Sequence, residues 1–150
     1  MVSAEIPDKD INPELHDLVK KFMLHGPCVG YTSRSPCLDN KGKICEKHFP
    51  KPYLEGTTLS ENGVITYRRR QPEKINKDKY SRTVTGVKVR GQQTDVVLNN
   101  QWVVPYNPTL LMKFNAHINV EVVASVVGIK YLFKYVSKGK KFKKYYLIDR

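Results

Sequence analysis

Acidic residues are scarce in this chain: 14 Asp and Glu stand against 26 Lys and Arg, a net charge of +12 over 150 residues. So lopsided a balance fits a polyanion partner, because each neutralised phosphate releases condensed counterions. Cysteine is also sparse. Cys28, Cys37 and Cys45 are the whole complement, an odd count that argues against a disulfide framework and towards thiols or metal. No stretch approaches the roughly 18 uninterrupted apolar residues that a membrane helix needs. The opening MVSAEIPDKD has no basic-then-apolar leader, so an intracellular protein without a membrane partner is expected. There is no GxxxxGK[ST] string, which excludes a P-loop ATPase within these residues. No internal repeat is present.

What is there reads as one folded domain, 1–150. Apolar residues make up 40%, with one Trp, nine Tyr and five Phe, enough for a single sizeable core. The charge is uneven. Residues 1–25 are slightly acidic, whereas Lys130, Lys134, Lys138, Lys140, Lys141, Lys143 and Lys144 follow one another with no acid between them. A solubilising face and a phosphate-binding face both fit this run, and nucleic acid is the favoured partner.

Local signals define an α+β chain built on an antiparallel sheet. Asn12 suits an N-cap and Pro13 a first helical position, and Leu15, Leu18, Val19, Phe22 and Met23 recur at helical spacing. Gly26 and Pro27 end that N-terminal helix. Residues 24–52 hold Pro27, Pro36, Pro50 and Pro52, three glycines and all the cysteines, which predicts an irregular knuckle. Asn62-Gly63 predicts a hairpin between Thr57–Ser60 and Val64–Arg69. Strands are expected at Thr83–Arg90, Thr94–Leu98, Gln101–Tyr106 and His117–Val123, the last with a helix as the alternative, and another short one at Tyr145–Ile148. A polar loop is expected at 71–80, a C-terminal helix at 125–138 and a basic tail at 139–150.

Within the knuckle, His25, Cys28, Cys37 and Cys45 offer one imidazole and three thiols, a set that suits tetrahedral Zn²⁺ in a structural role. His48 is an alternative fourth ligand, and three free thiols are the plainer reading. Tyr67-Arg68-Arg69-Arg70 follows a hairpin strand, placing Arg68 and Arg70 on one face and Arg69 on the other. These arginines suit either phosphate clamping or a charged strand end. Trp102 and Tyr106 fit base stacking or core packing. His117, Asn119 and Glu121 alternate onto one face, able to bind a cation, to orient a tyrosine, or to form a buried, satisfied polar row.

On a wheel of 125–138, Ile129, Leu132, Phe133 and Val136 form the stripe expected to face the core. Tyr131 and Tyr135 stack one turn apart, roughly 120° away, beside the row Lys130, Lys134 and Lys138. A tyrosyl oxygen can attack a DNA phosphodiester and keep the bond as a phosphotyrosine ester. A phenol of pKa about 10 needs a divalent cation to polarise the phosphate.

The ordered strings HGPC (25–28), SPC (35–37), FPKPY (49–53), YRRR (67–70), WVVPYNP (102–108), NAHINVE (115–121) and KYLFKYVSKG (130–139) resemble the Rep region of Helitron transposon proteins, the Helitron helicase-like domain. The likeness runs from about residue 2 to 139. It implies rolling-circle chemistry: nicking and rejoining of single-stranded DNA with Mg²⁺ or Mn²⁺, with Tyr131 and Tyr135 as the catalytic nucleophiles. It also implies a nuclear setting, a helicase domain further along, and a His-hydrophobe-His metal motif upstream of the VSAEIPD segment. The histidines here, His16, His25, His48 and His117, form no His-x-His pair. Residues 1–150 are therefore expected to be a partial domain with little or no nicking activity alone. The alternative is a non-enzymatic, zinc-stabilised nucleic-acid-binding module derived from a transposon protein.

Overall fold

The computed structural model describes residues 1–31, 35–39, 41–71, 80–89, 92–124, 129, 130 and 133. The fold is α+β. Helix α1, Pro13–Phe22, starts where the sequence places it: Asn12 Oδ1 accepts the Leu15 N–H at 3.1 Å and Pro13 needs no partner for a missing N–H. Glu14 in the first turn and Lys20 and Lys21 in the last complement the helix dipole. Its inner face buries Leu15, Val19 and His16, and the His16 ring satisfies itself by donating from Nδ1 to the Pro7 carbonyl at 2.8 Å.

Among the described residues, two small antiparallel sheets follow. β1, Thr58–Leu59, pairs with β2, Ile65–Thr66. Their turn uses Gly63 at φ 73°, in the left-handed region that Asn62-Gly63 predicts. β3, Arg82–Val89, pairs with β4, Gln92–Leu98, through a register that slips between Val84 and Val87. Along β4 burial alternates, with Val96 and Leu98 inside and Asp95 and Val97 outside, as a half-buried strand requires.

Two expected strands take other forms. Residues 101–106 begin in a 3-10 turn, Asn100–Trp102, and then run extended. Val104 donates to Met23 O at 2.7 Å, and Ser3 and Tyr106 exchange bonds of 2.9 Å. Pro105 has no N–H to give, so no regular ladder forms. Residues 117–123 are irregular, tied down by Val120 N–H to Pro105 O at 3.0 Å and by Val122 N–H to the Tyr67 hydroxyl at 2.8 Å. Just before them the sequence reading passes over a short helix, α2, Pro108–Phe114, capped by Asn107 Oδ1 on the Leu110 N–H at 3.1 Å and closed by Asn115 at φ 47°. The predicted strand Tyr145–Ile148, the tail 139–150 and most of the helix predicted at 125–138 lie outside the described residues. Of that helix, Ile129, Lys130 and Phe133 are described, and they are helical. Ile129 and Phe133 are 46% and 67% exposed, so the stripe expected to face the core is not buried at these two positions.

Two apolar clusters form the core. One gathers Ile6, Leu15, Val19, Met23, Val103, Tyr106 and Leu111; the other gathers Cys28, Cys45, Phe49, Val96, Leu98 and Trp102. Leu24 and Val104 pack against both. The neighbours Trp102 and Val103 thus serve opposite sides of one extended segment, and the cysteine knuckle is built onto the core through it.

Candidate metal centre

The knuckle brings its donors together by two backbone devices. The first is a tight loop. Asp39 Oδ1 accepts the N–H groups of Lys43 and Ile44 at 2.7 and 3.0 Å, and the Glu46 N–H reaches Cys37 O at 2.7 Å. Leu38 bridges Cys45 across this loop, which brings the two thiols close together. The second device is the extended segment: the His25 N–H donates to Trp102 O at 2.8 Å, and the imidazole stacks on Phe49 with centroids 4.4 Å apart. Cys28, fully buried, completes the group.

One ligand atom from each of His25, Cys28, Cys37 and Cys45 lies within 4.8 Å of all the others. Tetrahedral Zn²⁺, with Zn–S of about 2.3 Å and Zn–N of about 2.0 Å, holds its ligand atoms roughly 3.5–3.8 Å apart, so the widest pair here must close by about 1 Å. The imidazole is presented correctly for such a role. Its Nδ1 donates to the Gly26 carbonyl at 2.8 Å, which leaves Nε2, 3.9 Å from Cys45 Sγ, as the lone-pair nitrogen. Burial lowers the His25 pKa, the hydrogen bond to the Gly26 carbonyl opposes this, and the nearby Lys51 charge adds to the lowering. Burial pushes the Cys28 thiol up to about 12, with Cys37 and Cys45 adding to the effect. Burial also raises Cys45, but the N–H groups of Phe49 and Lys47 and the two neighbouring thiols outweigh it and bring that thiol below its ordinary value. Three sulfurs packed this tightly are costly as bare thiolates and favourable around a divalent cation. The residues fit a metal such as zinc. His48, the alternative ligand, is exposed, at φ 56°, and stands outside the group.

Beside the cluster opens a cavity of about 740 Å³ whose wall includes His25, Cys37, Lys47, Lys51, His117 and Glu121. His117 donates from Nδ1 to Phe22 O at 2.6 Å, and Asn119 donates to Glu121 Oε1 at 3.1 Å. His117, Asn119 and Glu121 all line this cavity, but they do so from an irregular segment and all three are exposed, so the expected buried row does not form. Lys51 is half-buried there; burial first, then Arg69, lowers its pKa, while Glu121 and Cys45 act in the opposite direction.

The arginine triplet divides as its alternation predicts, with an unexpected outcome. Arg69 is only 3% exposed, which takes it out of the expected phosphate-contacting set. Its Nη1 donates to Asn100 O at 2.6 Å and Val103 O at 2.7 Å, with a longer third contact to Ala4 O at 3.3 Å. Arg68 and Arg70 remain about half exposed, and both pair with the buried Glu5 carboxylate, at 3.0 and 2.9 Å. Trp102 and Tyr106 are core residues, 6% and 1% exposed, and the Tyr106 hydroxyl donates to Glu5 O at 2.9 Å. Lys130 is exposed. Tyr131, Tyr135, Lys134 and Lys138 lie outside the described residues.

Sequence reasoning missed Glu5 and Asn100. Asn100 Oδ1 accepts the Ile6 N–H at 2.8 Å and its Nδ2 donates to Arg70 O at 2.9 Å. Each partner is 30 or more residues away, and no local spacing signals such contacts. Lys47 and Lys51 were equally silent as cavity residues. No family model matches the chain, and no curated protein matches it either.

Proposed function

We propose that this chain is a nucleic-acid-binding module whose knuckle is held together by one structural zinc ion on His25, Cys28, Cys37 and Cys45. The carrying observation is the convergence of the four donor atoms within 4.8 Å in a segment with little other regular structure. Four protein ligands leave no open position for water or substrate, so the metal orders the fold and takes no part in chemistry. The partner is read from charge. The chain carries +12, and the acid-free lysine run from Lys130 to Lys144 supplies donors for a phosphate backbone. Arg68 and Arg70 add exposed guanidinium surface next to Glu5. The test has two parts: zinc content of the purified chain, and binding to labelled single-stranded DNA as a function of salt. A folded, metal-free chain, or DNA affinity indifferent to salt, contradicts the proposal.

A second reading rests on the ordered strings shared with Helitron Rep regions. In it, the same module is the DNA-gripping part of a rolling-circle strand transferase, with Tyr131 and Tyr135 as its nucleophiles and Mg²⁺ or Mn²⁺ held by residues outside 1–150. The nucleus and a partner helicase domain belong to this reading. Its test is a covalent-adduct assay on single-stranded DNA, with and without an added His-x-His segment.

A further inference from the structure

The four donors are not equally sheltered. Cys28 and Cys45 are buried, whereas Cys37 is partly exposed and forms part of the wall of the 740 Å³ cavity. The same wall carries Lys47 and Lys51. A solvent-borne reagent in this cavity therefore meets one sulfur of the cluster first, beside a wall in which Lys47, Lys51 and Arg69 outnumber the one carboxylate, Glu121. The loop geometry supplies the second participant: Leu38 bridges Cys45, and Glu46 N–H donates to Cys37 O at 2.7 Å, so Cys45 is the thiol across the same loop.

The geometry points to Cys37 as a modification site for small anionic disulfides of the glutathione class, coupled to metal release. This rests on the reading that the cluster holds zinc. The Cys37 thiolate attacks one sulfur of the incoming disulfide; a Cys37 mixed disulfide forms, the reagent's S–S bond breaks, and one small thiolate leaves. The Cys45 thiolate then attacks the Cys37 sulfur and expels the second small thiolate. Two protein thiolates are oxidised to one disulfide, and one reagent disulfide is reduced to two thiols. Zn²⁺ keeps only His25 and Cys28 and dissociates, since a structural site needs four ligands. The knuckle joins the core cluster through Cys28, Cys45 and Phe49, so losing the metal loosens the layer that carries Val96, Leu98 and Trp102.

The experiment uses the whole zinc-loaded chain. Its starting zinc content is read first by native mass spectrometry; a chain without zinc overturns the underlying reading before any oxidant is added. Oxidised glutathione is then added, and adducts are mapped over time while released zinc is followed with a chromophoric chelator. Because Cys37→Ser removes a ligand, the unaltered chain is used for mapping. The expected course is a first adduct at Cys37, then a Cys37–Cys45 disulfide with loss of the zinc, reversed by dithiothreitol plus zinc. Lys47→Gln with Lys51→Gln is expected to slow the anionic reagent by roughly tenfold and leave the neutral hydroxyethyl disulfide unchanged. A first adduct at Cys28 or Cys45, zinc retained after Cys37 is modified, or equal slowing of both reagents overturns the proposal.

Discussion

The buried guanidinium of Arg69 donates to the main-chain carbonyl of Asn100 at 2.6 Å, across 31 residues of sequence. With Val103 O at 2.7 Å, this fixes the 3-10 turn against the segment that follows β2, where Arg69 bridges Leu54. Burial lowers the Arg69 pKa to about 10, which leaves it charged at neutral pH. Arg69→Met takes the guanidinium donors away from these buried carbonyls, and is expected to cost roughly 3 kcal/mol. Arg69→Lys recovers only part of this, because an ammonium cannot reproduce the planar fork. Urea unfolding of the three proteins checks the order.

Glu5 gives the fold an acid-sensitive contact. Burial raises its carboxyl, but the hydrogen bonds and charge of Arg70, helped by Arg68, hold it below its ordinary 4.5. A carboxyl with a depressed folded value contributes stability above its unfolded value and loses it as pH falls through the folded one. Stability should therefore drop below about pH 4.5 in the native chain. Glu5→Gln should lower stability by about 1–2 kcal/mol at pH 7 and flatten the fall in acid. Thermal melts from pH 7 to 3 measure both.

Phosphate binding through lysines has a distinct signature. Affinity for single-stranded DNA should fall linearly on a log–log plot against salt, with a slope near 0.7 per phosphate contacted. Replacing Lys130, Lys134 and Lys138 by Gln should reduce that slope by about 2. An unchanged slope would place the contact elsewhere.

Residues 1–150 alone should form little or no covalent adduct with single-stranded DNA in Mg²⁺ or Mn²⁺, because their histidines include no His-x-His pair. A metal-dependent adduct that disappears in Tyr131→Phe with Tyr135→Phe contradicts this and makes the chain a nuclease in its own right.

Local chemistry was legible in the sequence wherever it was self-contained. Asn12 and Pro13 announce α1, Asn62-Gly63 announces the first hairpin, and the His25, Cys28, Cys37 and Cys45 set names four donors that the fold does bring together. Asn107 and Pro108 carry the same cap-and-proline signal as Asn12 and Pro13, yet α2 was overlooked because WVVPYNP read as the end of a strand. Other features were not available locally. Arg69 looked like surface charge because its acceptors lie in residues 4, 100 and 103, and only the folded chain brings them to it. Choosing His25 over His48 likewise depends on the Trp102 carbonyl and the Phe49 ring, which orient one imidazole inward.

The most direct test of the account is native mass spectrometry of the purified chain beside Cys28→Ser, with each protein's fold followed by near-ultraviolet circular dichroism. The account predicts one zinc ion per chain, loss of that ion in the variant, and loss of the Trp102 signal when a chelator strips the native protein. A chain that is folded and metal-free, with an unchanged Trp102 environment, would contradict it.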